Sequence, residues 1–207
     1  MYHILFDLEM TMWATKPIKD NDKYIIYDRY KKIAMPHAIQ EIIEIGAIKI
    51  DEDLNVVSDF NTFVCPSYCP ITKKCTQMTG ITQNDVQGQK SIRKCLNQFF
   101  EWINCTGPDY QIYTWSESDR NQIFTECKTK KINTPLLDPL TKRYIDLQQV
   151  FSIICGRGKY QPVSLKNATE LLNIPFEQYH RALEDAKVTG DVLTQIIKTW
   201  NNKLKGE

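Results

Sequence analysis

The sequence predicts a mixed α/β domain in which a five-stranded mixed sheet is flanked by helices. The first half reads as strands, because residues 2–9, 41–50 and 56–64 are rich in apolar, β-branched and aromatic side chains. The second half alternates short strands with segments whose apolar residues recur at helical spacing. Strands followed by strand–helix alternation are typical of a sheet covered by helices.

The predicted elements follow in order along the chain. The strand at 2–9 comes first, and a hairpin then joins 41–50 to 56–64 across the turn Asp51–Asn55. Ser91 is placed to cap an amphipathic helix, and a strand near 110–115 leads into a helix that ends near Lys130. The remaining predicted elements are a short strand at 143–145, a helix at 147–155, a helix capped by Ser164, and a last helix over 181–200.

The length of 207 residues is that of one ordinary domain with a proper core. We therefore expect a single domain over 1–207, with a core at about 2–200 and an insertion loop at about 14–38. No apolar stretch is long enough to span a membrane, and the chain enters a strand without a basic leader. These features favour a cytoplasmic protein without a membrane partner.

Net charge and cysteine content limit the classes of function that the sequence allows. A net charge of +1 does not favour a protein that wraps duplex DNA, whereas a nuclease that holds a few terminal nucleotides needs no basic excess. Seven cysteines, an odd number, favour reduced thiols over a disulfide framework. Cys65, Cys69 and Cys75 lack the paired spacing of a structural zinc site, which makes zinc the less favoured interpretation.

Two acids stand side by side at the end of the first strand. Asp7 and Glu9 are two residues apart, so their side chains point to the same face. Neighbouring carboxylates beside an apolar strand are unfavourable unless cations compensate them. Carboxylate oxygens suit Mg²⁺ or Mn²⁺, and a pair of such ions supports phosphodiester hydrolysis. We interpret Asp7 and Glu9 as metal ligands; acids that only meet solvent are the alternative.

Three further residues extend this pattern. Asp119 follows the strand near 110–115 and lies at the start of the next predicted helix. The alternative for Asp119 is an acid in the first turn that only complements the helix dipole. His180 and Asp185 are five positions apart, which on a regular helix turns them about 140° from each other. They converge only if His180 lies at or just before the helix entry and Asp185 lies inside the helix. A capping or surface histidine is the alternative for His180.

Several segments together resemble a known family. FDLEMT at 6–11, WSESD at 115–119 and HRALEDA at 180–186 look like the motifs of the DEDDh 3′→5′ exonucleases of the ribonuclease H-like superfamily. EIIEIGA at 41–47, FVCP at 63–66 and MTGIT at 78–82 are similar to the branch that contains the Eri-type exonucleases and the sporulation inhibitor KapD. The resemblance covers about residues 2–195. It departs at Ser116, where family members often carry glycine, and it is poor between Thr11 and Glu41.

The resemblance implies a ribonuclease H-like fold and a 3′→5′ exonuclease with two divalent metal ions, Mg²⁺ or Mn²⁺. Asp7 would bridge the two ions, Glu9 and Asp185 would complete one metal site, and Asp119 would support the other through water. His180 would be the general base. The substrate would be the 3′ end of single-stranded nucleic acid, RNA favoured over DNA, and the products nucleoside 5′-monophosphates.

The family also implies a substrate-binding turn at Thr79, Gly80 and Ile81, with Ile81 against the terminal base and the main chain near the 3′-hydroxyl. Met10 and Thr11 follow the acids and would line the same pocket. For Ile81, an ordinary buried residue is the alternative.

Residues 14–38 combine lysines with three tyrosines, Tyr24, Tyr27 and Tyr30. Such a mixture suits single-stranded nucleic acid, because bases stack on aromatic rings and phosphates pair with lysine. The alternative is a solvated insertion with a small packed core of its own.

Two other functions remain open at this point. One is a DNA 3′→5′ exonuclease of the proofreading type, and the other is a regulatory binding protein built on an exonuclease fold. The sequence does not identify a protein partner.

Overall fold

A five-stranded mixed sheet lies at the centre of the computed structural model, in the order β6-β5-β1-β7-β8. β1 pairs antiparallel with β5 and parallel with β7. The structure describes residues 1–28, 31–105, 107, 109–132, 137–158, 161–177 and 180–205. The strands of this sheet are β1 (Tyr2–Met10), β5 (Ile42–Ile50), β6 (Val56–Phe63), β7 (Tyr110–Thr114) and β8 (Tyr144–Asp146). The predicted five-stranded mixed sheet flanked by helices is confirmed.

Helices cover both faces of the sheet. Ser91 and Ser164 precede α3 and α7 as predicted, and α7 ends at Asn173 in the left-handed conformation, with φ +54°. α8 begins at Ala182 and ends later than predicted, at Lys205. The helices are α1 (Lys73–Thr79), α2 (Gln83–Val86), α3 (Ile92–Asn104), α4 (Glu117–Thr129), α5 (Pro139–Lys142), α6 (Leu147–Ile154), α7 (Leu165–Leu172) and α8 (Ala182–Lys205).

β1 separates two apolar layers. Its even-numbered residues Ile4, Phe6 and Leu8 are buried in one cluster with α3 and α4. Leu5 points to the other face, where it packs with Ile48 of β5 and with residues of α6, α7 and α8. Because side chains alternate along a strand, the odd-numbered Asp7 and Glu9 share the face of Leu5, which α8 covers.

The segment expected as an insertion loop at 14–38 contains a second, three-stranded sheet. Its strands β2 (Ile18–Asp20), β3 (Lys23–Asp28) and β4 (Lys31–Met35) pair antiparallel in sequence order. Ile26 and Met35 are buried with Cys69, and Tyr24 packs against them. The segment therefore packs a small apolar cluster, as the alternative considered above predicts, but it shares that cluster with Cys69 from outside the segment.

This small sheet leaves part of the proposed nucleic-acid surface in place. Tyr27 is 47% exposed and lies opposite Lys32 in the β3–β4 pair, whereas Tyr24 is held in the apolar cluster. Tyr30, the third tyrosine of that pattern, lies outside the described residues. No helix in the described ranges combines the length and apolar character that a membrane crossing requires.

Candidate active site

Asp7 and Glu9 occupy the second half of β1. In the pairing with β5, Asp7 stands opposite Gly46 and Glu9 stands opposite Glu44. Asp7 keeps part of its surface exposed, while Glu9 is buried. The β1–β5 register shifts between Glu9 and Met10, an irregularity of the kind often found beside active sites.

Asp119 reaches the same end of the sheet from the neighbouring strand. β7 runs parallel to β1, so the carboxyl ends of both strands meet at one edge. Ser116 then starts α4 as its N-cap, and Asp119 follows in the first turn. Ser118 Oγ donates to Asp119 Oδ2 at 3.4 Å. The Asp119 carboxylate is buried, and hydrogen bonding from the main chain of Leu8 in β1 partly offsets the rise of its pKa.

His180 and Asp185 approach from α8. His180 lies just before the helix and has a left-handed backbone, with φ +46°. Asp185 lies in the first turn, and its N–H donates to Arg181 O at 3.0 Å. Ligand atoms of Glu9, His180 and Asp185 all lie within 4.8 Å of one another. The turn before the helix thus brings His180 and Asp185 together although a regular helix would separate them.

A cleft of about 270 Å³ is lined by three of the four acids. Asp7, Asp119 and Asp185 all line it. Since Asp185 belongs both to this cleft and to the group with Glu9 and His180, the structure places the five predicted residues in one continuous site. Lys166 and Phe176 also line the cleft. The sequence analysis did not single them out, because neither belongs to a recognisable motif.

Burial raises the pKa of each of the four carboxyls. It raises the pKa of Glu9 to about 8, with the charge of Asp185 as the next cause. It raises the pKa of Asp119 to about 7, opposed in part by hydrogen bonds. The pKa of Asp7 lies well above its ordinary value because of burial and then the charge of Asp119. Burial also raises the pKa of Asp185. Four acids in this environment repel one another when ionised.

The donor set fits divalent cations. None of the four acids forms a salt bridge with another described residue. Asp185 Oδ1 is buried and has no hydrogen-bond partner among the described atoms. Buried carboxylates that no salt bridge neutralises are the oxygen ligands that Mg²⁺ and Mn²⁺ prefer. Cys65, Cys69 and Cys75 form no ligand group in the described part of the chain.

The predicted substrate-binding residues differ in how accessible they are. Gly80 is exposed and ends α1 with φ +73°. Thr79 and Ile81 are each only 2% exposed. Ile81 packs with Ile43 and Val86, so in this conformation it is the ordinary buried residue considered as the alternative.

The expectation for Thr11 needs correction. Thr11 is completely buried, and its hydroxyl accepts the N–H of Glu41 at 2.9 Å. Its side chain therefore connects β1 to the start of β5 and does not line an open pocket. Met10 is partly buried at the end of β1 and keeps some access to solvent.

The sequence analysis also missed a pair of residues beside the five. Glu44 is fully buried, and the Arg181 guanidinium donates two hydrogen bonds to it. A charged residue between Ile43 and Ile45, in the apolar first half of β5, was the available signal.

Comparison with known proteins identifies the family. The family model described as "Exonuclease", RNase T, matches residues 4–193. ERI1 exoribonuclease 2 of Xenopus laevis is 27% identical over 95% of this chain, which spans 28% of that relative. The PolC-type DNA polymerase III of Clostridium perfringens is 32% identical over 89% of this chain, which spans 12% of that relative. The chain thus corresponds to a minor part of each relative's length.

A solved structure confirms the fold. The nuclease domain of 3′hExo, described as a DEDDh family member bound to rAMP, aligns with a TM-score of 0.77. The alignment covers 96% of this chain and 92% of that domain, at 18% sequence identity. This likeness confirms the expected ribonuclease H-like fold, and the family model confirms the expected exonuclease family. The protein belongs to the RNase T exonuclease family.

Proposed function

We propose that this protein is a metal-dependent 3′→5′ exonuclease that removes nucleotides from single-stranded RNA. The observation that carries the proposal is the convergence of Asp7, Glu9, Asp119 and Asp185 with His180 at one edge of the sheet. Four acids that no salt bridge neutralises make a site for divalent ions, and a histidine beside them provides a base. This combination serves phosphodiester hydrolysis.

The roles divide between holding metal and moving a proton. Asp7 would contribute to both of two metal positions, Glu9 and Asp185 to one of them, and Asp119 to the other. Two bound divalent cations, Mg²⁺ or Mn²⁺, would supply charge stabilisation and an acidic attacking water. His180 would accept the proton of that water at a ring nitrogen. Its position beside Asp185 but outside the helix leaves the imidazole next to the acids.

The open side of the site determines which substrates fit. The cleft of about 270 Å³ is open to solvent, and its volume is comparable to that of a single nucleotide and far below that of a duplex. The exposed Gly80 turn presents main chain for contact with a 3′-hydroxyl, while Met10 borders the acids. Exposed Tyr27 and Lys32 would contact the strand further from its end by stacking and by pairing with phosphate.

RNA is the favoured substrate because of the likeness to an exoribonuclease over 95% of the chain. The PolC-type relative supports DNA as the second candidate, since it is 32% identical over 89% of the chain. We place the activity in the cytoplasm as part of the same proposal.

The test compares matched single-stranded RNA and DNA oligonucleotides labelled at the 5′ end, with Mg²⁺ or Mn²⁺. We expect a ladder that shortens from the 3′ end, release of nucleoside 5′-monophosphates, and faster loss of RNA. A blocked 3′ terminus should slow the reaction. Cleavage inside a circular substrate would contradict the exonuclease proposal, and faster loss of DNA would favour the second candidate.

A further inference from the structure

Glu44 is a buried acid on the same face of the sheet as the metal-binding candidates, yet it is engaged differently. It stands opposite Glu9 in the β1–β5 pair and is fully buried. Arg181 donates to both of its oxygens, Nε to Oε2 at 3.0 Å and Nη2 to Oε1 at 2.7 Å. The N–H of Ala182 donates to Oε2 at 3.2 Å. Both oxygens of Glu44 are thus occupied by Arg181, which precedes α8, and by Ala182, its first residue.

We propose that Glu44 and Arg181 form a positioning pair that holds the start of α8 against β5 and so sets His180 and Asp185 relative to Glu9. Neither residue is assigned contact with substrate or metal. The proposal deepens the exonuclease function and rests on it for its kinetic consequence.

The backbone of His180 shows why such a pair is needed. Its φ of +46° lies in the left-handed region, which is unfavourable for residues with a Cβ atom. The next two residues, Arg181 and Ala182, are the ones that Glu44 binds. Without that restraint, the chain before the helix could relax to an ordinary conformation, and the imidazole would move away from Asp185.

Two further contacts make the arrangement specific. A Cβ atom at Gly46 would lie 2.0 Å from the Leu183 N atom, so only glycine lets the first turn of α8 come this close to β5. The Arg181 guanidinium also lies over the Phe63 ring, 5.4 Å from its centroid, which limits where the side chain can go. The position of β5 therefore constrains Arg181, Ala182 and Leu183, which precede Asp185 in the chain.

A buried ion pair can also contribute to stability without positioning a catalytic group. The chain contains a second buried pair, Glu126 with Lys130, that serves as a control for Glu44 with Arg181. Glu126 is fully buried like Glu44, and Lys130 Nζ lies 2.6 Å from its Oε1. Glu126 also accepts the N–H of Ile42 at 2.7 Å. It lies in the second half of α4 and is not a member of the candidate site. Glu126→Gln therefore reports what loss of an equally buried charge does by itself.

The experiment compares Glu44→Gln, Arg181→Lys and Glu126→Gln with the wild type. Each is assayed on a 5′-labelled single-stranded oligonucleotide with Mn²⁺, at a temperature where thermal unfolding shows it to be folded. For Glu44→Gln we expect kcat to fall on the order of 10- to 100-fold with little change in KM, as for a small displacement of a catalytic group. Arg181→Lys keeps the positive charge but not the paired hydrogen bonds, so its kcat should lie between those of the wild type and Glu44→Gln. Glu126→Gln should lower the melting temperature and keep kcat.

Two readouts do not depend on turnover. Hydrogen–deuterium exchange should increase in Glu44→Gln over residues 181–186 but not over the second half of α8. Glutamine offers one acceptor oxygen where Glu44 offers two, so it cannot accept all three hydrogen bonds from Arg181 and Ala182. Calorimetric titration with Mn²⁺ should show weaker binding in Glu44→Gln than in Glu126→Gln. If the wild type degraded no nucleic acid, the exonuclease proposal would fail while these two measurements still decided on the positioning pair.

The positioning role would be overturned if Glu44→Gln and Glu126→Gln lost kcat equally at equal stability. It would also be overturned if faster exchange spread over the whole chain, or if Glu44→Gln kept both the wild-type kcat and the wild-type Mn²⁺ affinity.

Discussion

Asp7 in β1 lies directly opposite Gly46 in β5, and the missing side chain at Gly46 is what lets α8 approach the acid. A Cβ atom at position 46 would lie 2.2 Å from the carbonyl carbon of Ala182, in the first turn of the helix that carries Asp185. The approach of Asp185 to Asp7 therefore depends on three segments that are distant in sequence. β1 supplies Asp7, β5 supplies the space, and α8 supplies Asp185.

Asp7→Ala should abolish hydrolysis and weaken Mn²⁺ binding, because the residue is assigned to both metal positions. Without metal, the variant should be at least as stable as the wild type, since burial and neighbouring acids raise the pKa of Asp7 and disfavour its charged form. Activity assays, calorimetry and thermal unfolding in chelator check the three expectations. Asp59→Ala, an exposed strand acid, is the control and should change none of them. Robust hydrolysis by clean Asp7→Ala protein would refute the metal assignment.

His180→Ala and Asp185→Ala should separate proton transfer from metal binding. Loss of a general base costs about 10²- to 10⁴-fold in rate, so His180→Ala should be slow. It should still bind Mn²⁺ and single-stranded nucleic acid, because every carboxylate remains. Asp185→Ala should lose metal affinity as well as rate. Calorimetric titration of Mn²⁺ with a nucleotide product present distinguishes the two. Equal loss of metal binding would make His180 a ligand or a structural residue.

The metal-free protein should lose stability as pH rises. Burial raises the pKa of Glu9 to about 8 and that of Asp119 to about 7, from ordinary values of 4.5 and 3.8. Between those values the folded state keeps protons that the unfolded state has released, so the free energy of unfolding falls with increasing pH. Urea unfolding in chelator at about pH 5, 6, 7 and 8 measures the slope.

Asp119→Asn should make the fall of stability with pH less steep, because the amide does not titrate while Glu9 still does. Saturating Mn²⁺ should have the same effect in the wild type. A metal-free stability that rises from pH 5 to pH 8 would show that the acids are not held in the environment described here.

Ile81→Ala should destabilise the protein by about 2–5 kcal/mol, the range for truncation of a buried isoleucine. Ile81 is 2% exposed and packs with Ile43 and Val86, so we expect unchanged kcat and KM wherever the variant is folded. Val86→Ala in the same cluster is the control and should behave in the same way. A raised KM in Ile81→Ala alone would show that the residue reaches the terminal base in the complex with substrate.

Local patterns were enough to predict most of the central fold. The alternation in β1 placed Asp7 and Glu9 on one face, and Ser91 and Ser164 marked the starts of α3 and α7. These features depend on neighbours within a turn or a strand, where periodicity and capping act directly. The five candidate site residues were singled out for a related reason, because each belongs to a short motif and the order of these motifs along the chain is distinctive.

Tertiary structure alone decided which buried groups are paired and which residues reach solvent. Ile81 and Thr11 carry no local sign of burial, which depends on the packing of α1, α2 and β5 around them. The pairing of Glu44 with Arg181 joins residues 137 positions apart and exists only because the β1–β5 register and the entry of α8 bring them together. Sequence periodicity determines the face on which a side chain lies; the contact that it makes there depends on elements that are distant along the chain.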